Sequence, residues 1–190
     1  MKSLGSGDVF RQKIIDYIQS QELIDANKPD VLFDSTAVRT WNQRVVQEKM
    51  YGKRNVTIVF KTGESVYMTY LSKVDGRSND DDWMKDSEFY ICSLFRNDKE
   101  KFEKYVRKQG DDEDDDISSA YGLFEISNTN VEIIQTYSGY TIMKNKKVKW
   151  DEDFYAYYEC DDNGNKRDFF DKASSKNGND VSELFVIQWK

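Results

Sequence analysis

The chain has 190 residues, of which 33% are charged and 38% hydrophobic, and its net charge is −7. Four Trp, twelve Tyr and eleven Phe, each able to bury about 150–250 Å², exclude a disordered acidic chain, which lacks aromatic residues. It contains no histidine, which excludes Ser-His-Asp and Cys-His nucleophiles, His-bearing zinc motifs and the commonest general base near neutral pH.

The length fits a single domain spanning residues 1–190. It divides into a helical N-terminal part (1–54), a hairpin, strand and helix (55–110), an acidic loop (111–119) and a β-rich part (120–190). Phe10, Ile14, Tyr17 and Ile18 recur at helical spacing and predict a helix over residues 8–22, with Ser6 or Asp8 as cap. Pro29, the only proline, falls in the connection that follows. A second helix is expected over residues 35–51. Ser35 is its N-cap candidate, Val38, Trp41 and Val45 form its inner face, and Gly52 follows it in a left-handed conformation.

After Gly52 the apolar period changes to two. Residues 56–60 and 65–71 read as a hairpin with Gly63 in the turn, and residues 88–95 as a further strand. A third helix is expected over residues 98–109, with Phe102, Tyr105 and Val106 on one side and Glu100 and Glu103 facing Lys104 and Arg107. From there on only strands and turns are predicted, over residues 121–126, 131–137, 140–143, 148–150, 154–160, 166–170 and 181–189. The lysines at 144, 146, 147 and 149 suit a hairpin turn and its flanks, and Asn163-Gly164 suits another turn. The fold class is therefore α+β. Two N-terminal helices and one mid-chain helix accompany a mostly antiparallel sheet of about seven to nine strands. Trp41, Phe60, Ile91, Leu94, Phe124, Ile133, Tyr157 and Ile187 are the candidate core.

Cys92 and Cys160 have no metal-ligand spacing and read as buried free thiols. No signal-peptide segment opens the sequence and no apolar run is long enough to span a membrane, so a cytoplasmic location without membrane association is expected.

The charge is unevenly distributed. Residues 75–116 hold eight Lys or Arg against fifteen Asp or Glu, a balance of −7, and the remainder holds twenty of each sign. Two runs concentrate it: Asp80, Asp81 and Asp82, then Asp111, Asp112, Glu113, Asp114, Asp115 and Asp116. A solvated loop is the plainest account of such runs. An extended acidic peptide nevertheless rises by about 3.2–3.4 Å per residue, close to the phosphate spacing along a DNA strand. The two runs are therefore the candidate partner-binding residues.

A metal site is not expected. Counted from Asp112, Ile117 and Leu123 take the positions where an EF-hand needs Gly and Glu; counted from Asp161, Lys166 and Lys172 do. Pro29-Asp30 resembles the first half of a Pro-Asp/acid-x-Lys nuclease motif, but no lysine has an acidic residue two positions before it. The third position of a dinucleotide fingerprint at Gly5 and Gly7 falls on Phe10. Arg39, Arg44, Lys49, Lys53 and Arg54 could touch phosphate, and Tyr155, Tyr157, Tyr158, Phe169 and Phe170 could stack on bases, but a helix surface and a core account for them more simply.

No catalytic residue, cofactor or metal is thus expected, and direct binding of nucleic acid is not expected either. The function expected is that of a non-enzymatic acidic protein whose partner is a protein with a basic groove. Such a protein would inhibit a nucleic-acid-handling enzyme, as a phage-type anti-CRISPR or antirestriction protein does, or a nuclease immunity protein. The alternative readings are a carboxylate and metal-dependent nuclease, and a structural or regulatory domain with an inert acidic loop.

Overall fold

The apolar stripe of the first segment forms α1 (Ser6–Ser20), with Ile14, Ile15 and Ile18 buried. The structure is a computed structural model and describes residues 6–24, 28–38, 41–75, 84–108, 122–125, 131–160 and 178–190. Among these residues the chain is mostly antiparallel β-sheet with few helices, which is α+β in the broad sense. Among the described residues the strands number twelve, more than the sequence suggests.

The region around Pro29 is a strand, β1 (Pro29–Asp34), and not a mere connection. Proline is tolerated as its first residue because no ladder bond is required of it there. Ser35 then extends the pairing of β1. Its N–H donates to the Leu184 carbonyl and its hydroxyl accepts the Leu184 N–H, each at 2.8 Å. It is therefore not a helix cap. That role falls to Asn42, whose Oδ1 accepts the Arg44 N–H at 2.9 Å, and α2 is a short helix, Gln43–Met50. Gly52 does have φ +73, and its N–H donates to Val74 O.

β2 (Lys53–Thr62) and β3 (Ser65–Val74) form the expected hairpin around Gly63-Glu64. β4 (Met84–Asp86) and β5 (Tyr90–Arg96) follow. The predicted third helix is instead a strand, β6 (Lys99–Arg107), paired antiparallel with β5. Asn97 and Asp98 decide the difference, with φ of 49° and 58°. Two successive positive φ values make the tight turn whose twist matches a hairpin. The chain returns along β5, and the helical spacing of Phe102, Tyr105 and Val106 gives way to alternation. Glu103, Tyr105 and Arg107 are buried on one face, and Glu103 pairs with Arg96 and Lys101.

β7 (Gly122–Glu125), β8 (Glu132–Thr136), β9 (Tyr140–Met143) and β10 (Lys147–Trp150) lie close to their expected positions. Residues 154–160 are not one strand. Phe154–Tyr157 make a single helical turn, α3, and β11 is Tyr158–Cys160. The expected strand at 166–170 lies outside the described residues. β12 (Asn179–Trp189) closes the chain.

The strand order is β11-β6-β5-β3-β2-β12-β10-β9-β8-β7-β4, with β1 also on β12. The strands from β11 to β12, with β1, form one layer, and β10 to β4 form a second that departs from it at β12. Alternation then assigns the core. Val59, Met68, Cys92, Phe185 and Ile187 meet α1 on one face of the first layer. Ile58, Phe60, Tyr67 and Ile91 meet Ile133, Tyr140, Ile142 and Val148 of the second layer, and Val46 and Met50 of α2, on the other. Of the candidate core, Trp41, Phe60, Ile91, Leu94, Ile133 and Ile187 are buried. Tyr157 is only half-buried, because it sits on the helical turn at the margin, and the Phe124 side chain lies outside the described residues.

Gly178 enters β12 with φ +75, and a Cβ there would stand 2.9 Å from the backbone oxygen of Val148. Gly178→Ala should destabilise the protein by at least about 1–3 kcal/mol, the usual cost of a left-handed non-glycine residue, and more through the clash. Gly63→Ala has φ +56 but open space, and should cost less. Urea unfolding of both variants measures the difference, and equal losses would contradict the close approach at Val148.

Candidate functional site

None of the expected partner-binding residues can be described in place. Asp80, Asp81, Asp82, Asp111, Asp112, Glu113, Asp114, Asp115 and Asp116 all lie outside the described residues, as do the EF-hand candidates from Asp161 to Asn165. The described segments that border the two runs do have a fixed relation. β4 begins soon after the first run and β7 after the second, and the two pair antiparallel, Met84 with Phe124 and Asp86 with Gly122.

Asp86 fastens this ladder to the first layer. It is buried, and its carboxylate accepts the Ser72 N–H at 2.6 Å, the Ser72 hydroxyl at 2.7 Å and the Glu88 N–H at 3.0 Å. Three hydrogen bonds to a charged acceptor offset its desolvation. Before the first run, Asp75 pairs with Lys73 at 2.9 Å and holds that ammonium above its ordinary pKa through the hydrogen bond and the opposite charge.

A second polar cluster stands at the end of β6 and was not expected from the sequence. The Arg107 guanidinium lies 4.9 Å from the Tyr137 ring and 5.1 Å from the Tyr157 ring. Lys108 Nζ donates to Tyr155 O at 2.7 Å, and the Tyr158 hydroxyl donates to Tyr137 O at 2.8 Å. A helical reading of this segment turns Arg107 towards Glu103 on a solvated face. Only strand alternation, set by the turn at Asn97-Asp98, points to its burial.

The remaining candidates resolve into structure. The buried Glu103 pairs with Arg96 Nη1 at 3.1 Å and Lys101 Nζ at 3.2 Å, bracing the β5/β6 hairpin. On α2, Arg44 pairs with Glu48 at 2.9 Å, both exposed. Trp41 is core, with Lys146 Nζ 5.7 Å from its ring. Lys146 itself has φ +61 in the β9/β10 turn, which fits the reading of these lysines as turn residues. Tyr155, Tyr157 and Tyr158 pack around Phe154, not on an open base-stacking platform. Among the described residues no group of three acidic or Cys side chains could hold a metal ion, and no helix is long and apolar enough to cross a membrane. Cys92 is buried, which pushes its thiol pKa far up, and Cys160 is half-buried; both are free.

No protein-family model matches the chain, and no curated protein does.

Burial raises the phenols of Tyr90, Tyr105, Tyr140 and Tyr158 well above their ordinary value of 10.0. The folded state therefore favours the neutral phenol more than the unfolded chain does. The stability this contributes is intact below pH ~10 and declines as pH rises past that value. In an alkaline absorbance titration exposed tyrosines should ionise first. These four should ionise only as the far-ultraviolet circular dichroism signal is lost, and early ionisation of all twelve tyrosines would contradict their burial.

Proposed function

We propose that the chain is a non-enzymatic acidic binding protein that docks on the basic groove of a nucleic-acid-handling enzyme and blocks it. A phage-type anti-CRISPR or antirestriction inhibitor and an immunity protein against a nuclease toxin are the two settings that suit this chemistry. The observation that carries the reading is the confinement of the whole net charge of −7 to residues 75–116. The pairing of β4 with β7 supports it, because the strands that follow the two acidic runs are neighbours in one ladder. A field concentrated in one segment of an otherwise neutral chain orients the approach to a positive groove and speeds encounter. The absence of histidine is consistent with a protein that performs no hydrolysis.

The partner is to be identified by affinity capture from lysate, with elution by salt and mass spectrometry. The decisive measurement is then kinetic. Replacing Asp111, Asp112, Asp114, Asp115 and Asp116 with Asn should change folding stability by no more than about 0.5 kcal/mol per site. The association rate at low salt should fall roughly tenfold or more, and the residual binding should depend less on ionic strength. An association rate that stays the same would remove the basis of the reading.

A companion assay incubates the protein with labelled DNA and RNA and Mg²⁺ or Mn²⁺. No cleavage is expected. Cleavage abolished by changing Asp80, Asp81 or Asp82 to Ala would put the metal-dependent nuclease in its place.

A further inference from the structure

The buried arginines of this protein are not all treated alike. Arg96 has Glu103, and the part-buried Arg11 has Asp8 and Asp34. Arg107 is 7% exposed, yet its buried Nη1 meets no acceptor among the described residues. What surrounds it is aromatic. The Tyr137 and Tyr157 ring centroids are 5.7 Å apart with planes at 85°. With the cation about 5 Å from each, the three make a triangle. The guanidinium therefore caps a corner between two perpendicular rings and is not sandwiched by them.

The two ring faces offset only part of the cost of taking this cation out of water. The described polar groups beside it are the Lys108 ammonium and the Tyr158 hydroxyl, with the Asp151 carboxylate close enough to raise the Tyr158 phenol. The Lys108 ammonium is bonded to Tyr155 O, and the Tyr158 hydroxyl spends its proton on Tyr137 O. The hydrogen bond and charge of Arg107 pull the Tyr158 phenol down, although burial outweighs them. A cation with one N–H unused among the described residues, set between two aromatic faces, is complementary to an acceptor-only anion.

We propose that Arg107 anchors a binding site for a small oxyanion, a carboxylate or phosphate group, at the corner formed by Tyr137 and Tyr157. Both rings are half-buried. Tyr157 is carried on a single helical turn, Phe154–Tyr157, and in the proposed site its ring turns aside to admit the anion to Nη1. The anchor is a cation, opposite in sign to the acidic runs.

Inorganic phosphate and acetate are the probes, each titrated into ¹⁵N-labelled full-length protein against sodium chloride at matched ionic strength. One arginine side-chain signal should shift saturably. Contacts from that signal to the Tyr137 and Tyr157 ring protons identify it as Arg107 without any variant. Saturation by phosphate alone assigns a phosphate ligand, by acetate alone a carboxylate, and by both the shared class. Arg107→Lys, which keeps the charge and loses the planar fork, should weaken binding by about tenfold or more. No saturable shift in the wild-type protein, a shift from an arginine without those ring contacts, or equal binding by a folded Arg107→Lys variant would overturn the proposal.

Discussion

The structure depends on the pairing of one strand on both its edges. β12 gives residues 181–188 of one edge to β2. Its other edge is divided: Asn179 and Asp180 pair with β10, and residues 185–189 pair with β1. Between those two partners the Val181 N–H donates to Lys146 O, and Ser35 receives and supplies the bonds of Leu184. The backbone of a buried central strand must be paired, and here the pairing also separates the two layers, one continuing through β1 and the other departing through β10.

A layer covered on both faces needs apolar residues at successive positions, and the strands have them. β5 is buried along its whole length, as is Val56–Phe60 of β2. The few polar residues within these strands are paired locally. Thr69 and Tyr140 share a hydrogen bond of 2.6 Å between the layers, and Trp189 Nε1 donates to Thr57 at 3.0 Å. A large aromatic core also makes up for modest apolar content, since the rings of Phe60 and Trp150 touch each other and each touches both Tyr67 and Tyr140 between the layers.

The scaffold and the charge are consequently separate matters. Carboxylates built into the fold, such as Asp86, Glu103 and Asp34, each have bound partners close by. The runs at 80–82 and 111–116 fall in the sequence intervals before β4 and β7.

Composition and local pattern fixed a good deal. Alternation gave the β2/β3 hairpin, β5, β9 and the final strand, and helical spacing gave α1, because in each the burial of one face agrees with the intrinsic period. The absence of histidine and the localisation of charge are properties of the sequence alone, and they bound the function without naming it. Tertiary structure decided where two local signals competed. Phe102, Tyr105 and Val106 fit a helical stripe, yet the turn at Asn97-Asp98 laid them beside β5 as a strand. Pro29 reads as a break, yet β12 left an edge that β1 could fill from its first residue. Ser35 reads as a cap until Leu184, far along the chain, supplies both its bonds. The corner of Arg107, Tyr137 and Tyr157 joins residues from three separate segments. No local pattern encodes such a meeting, because it follows from which strands pair and not from the period within any one of them.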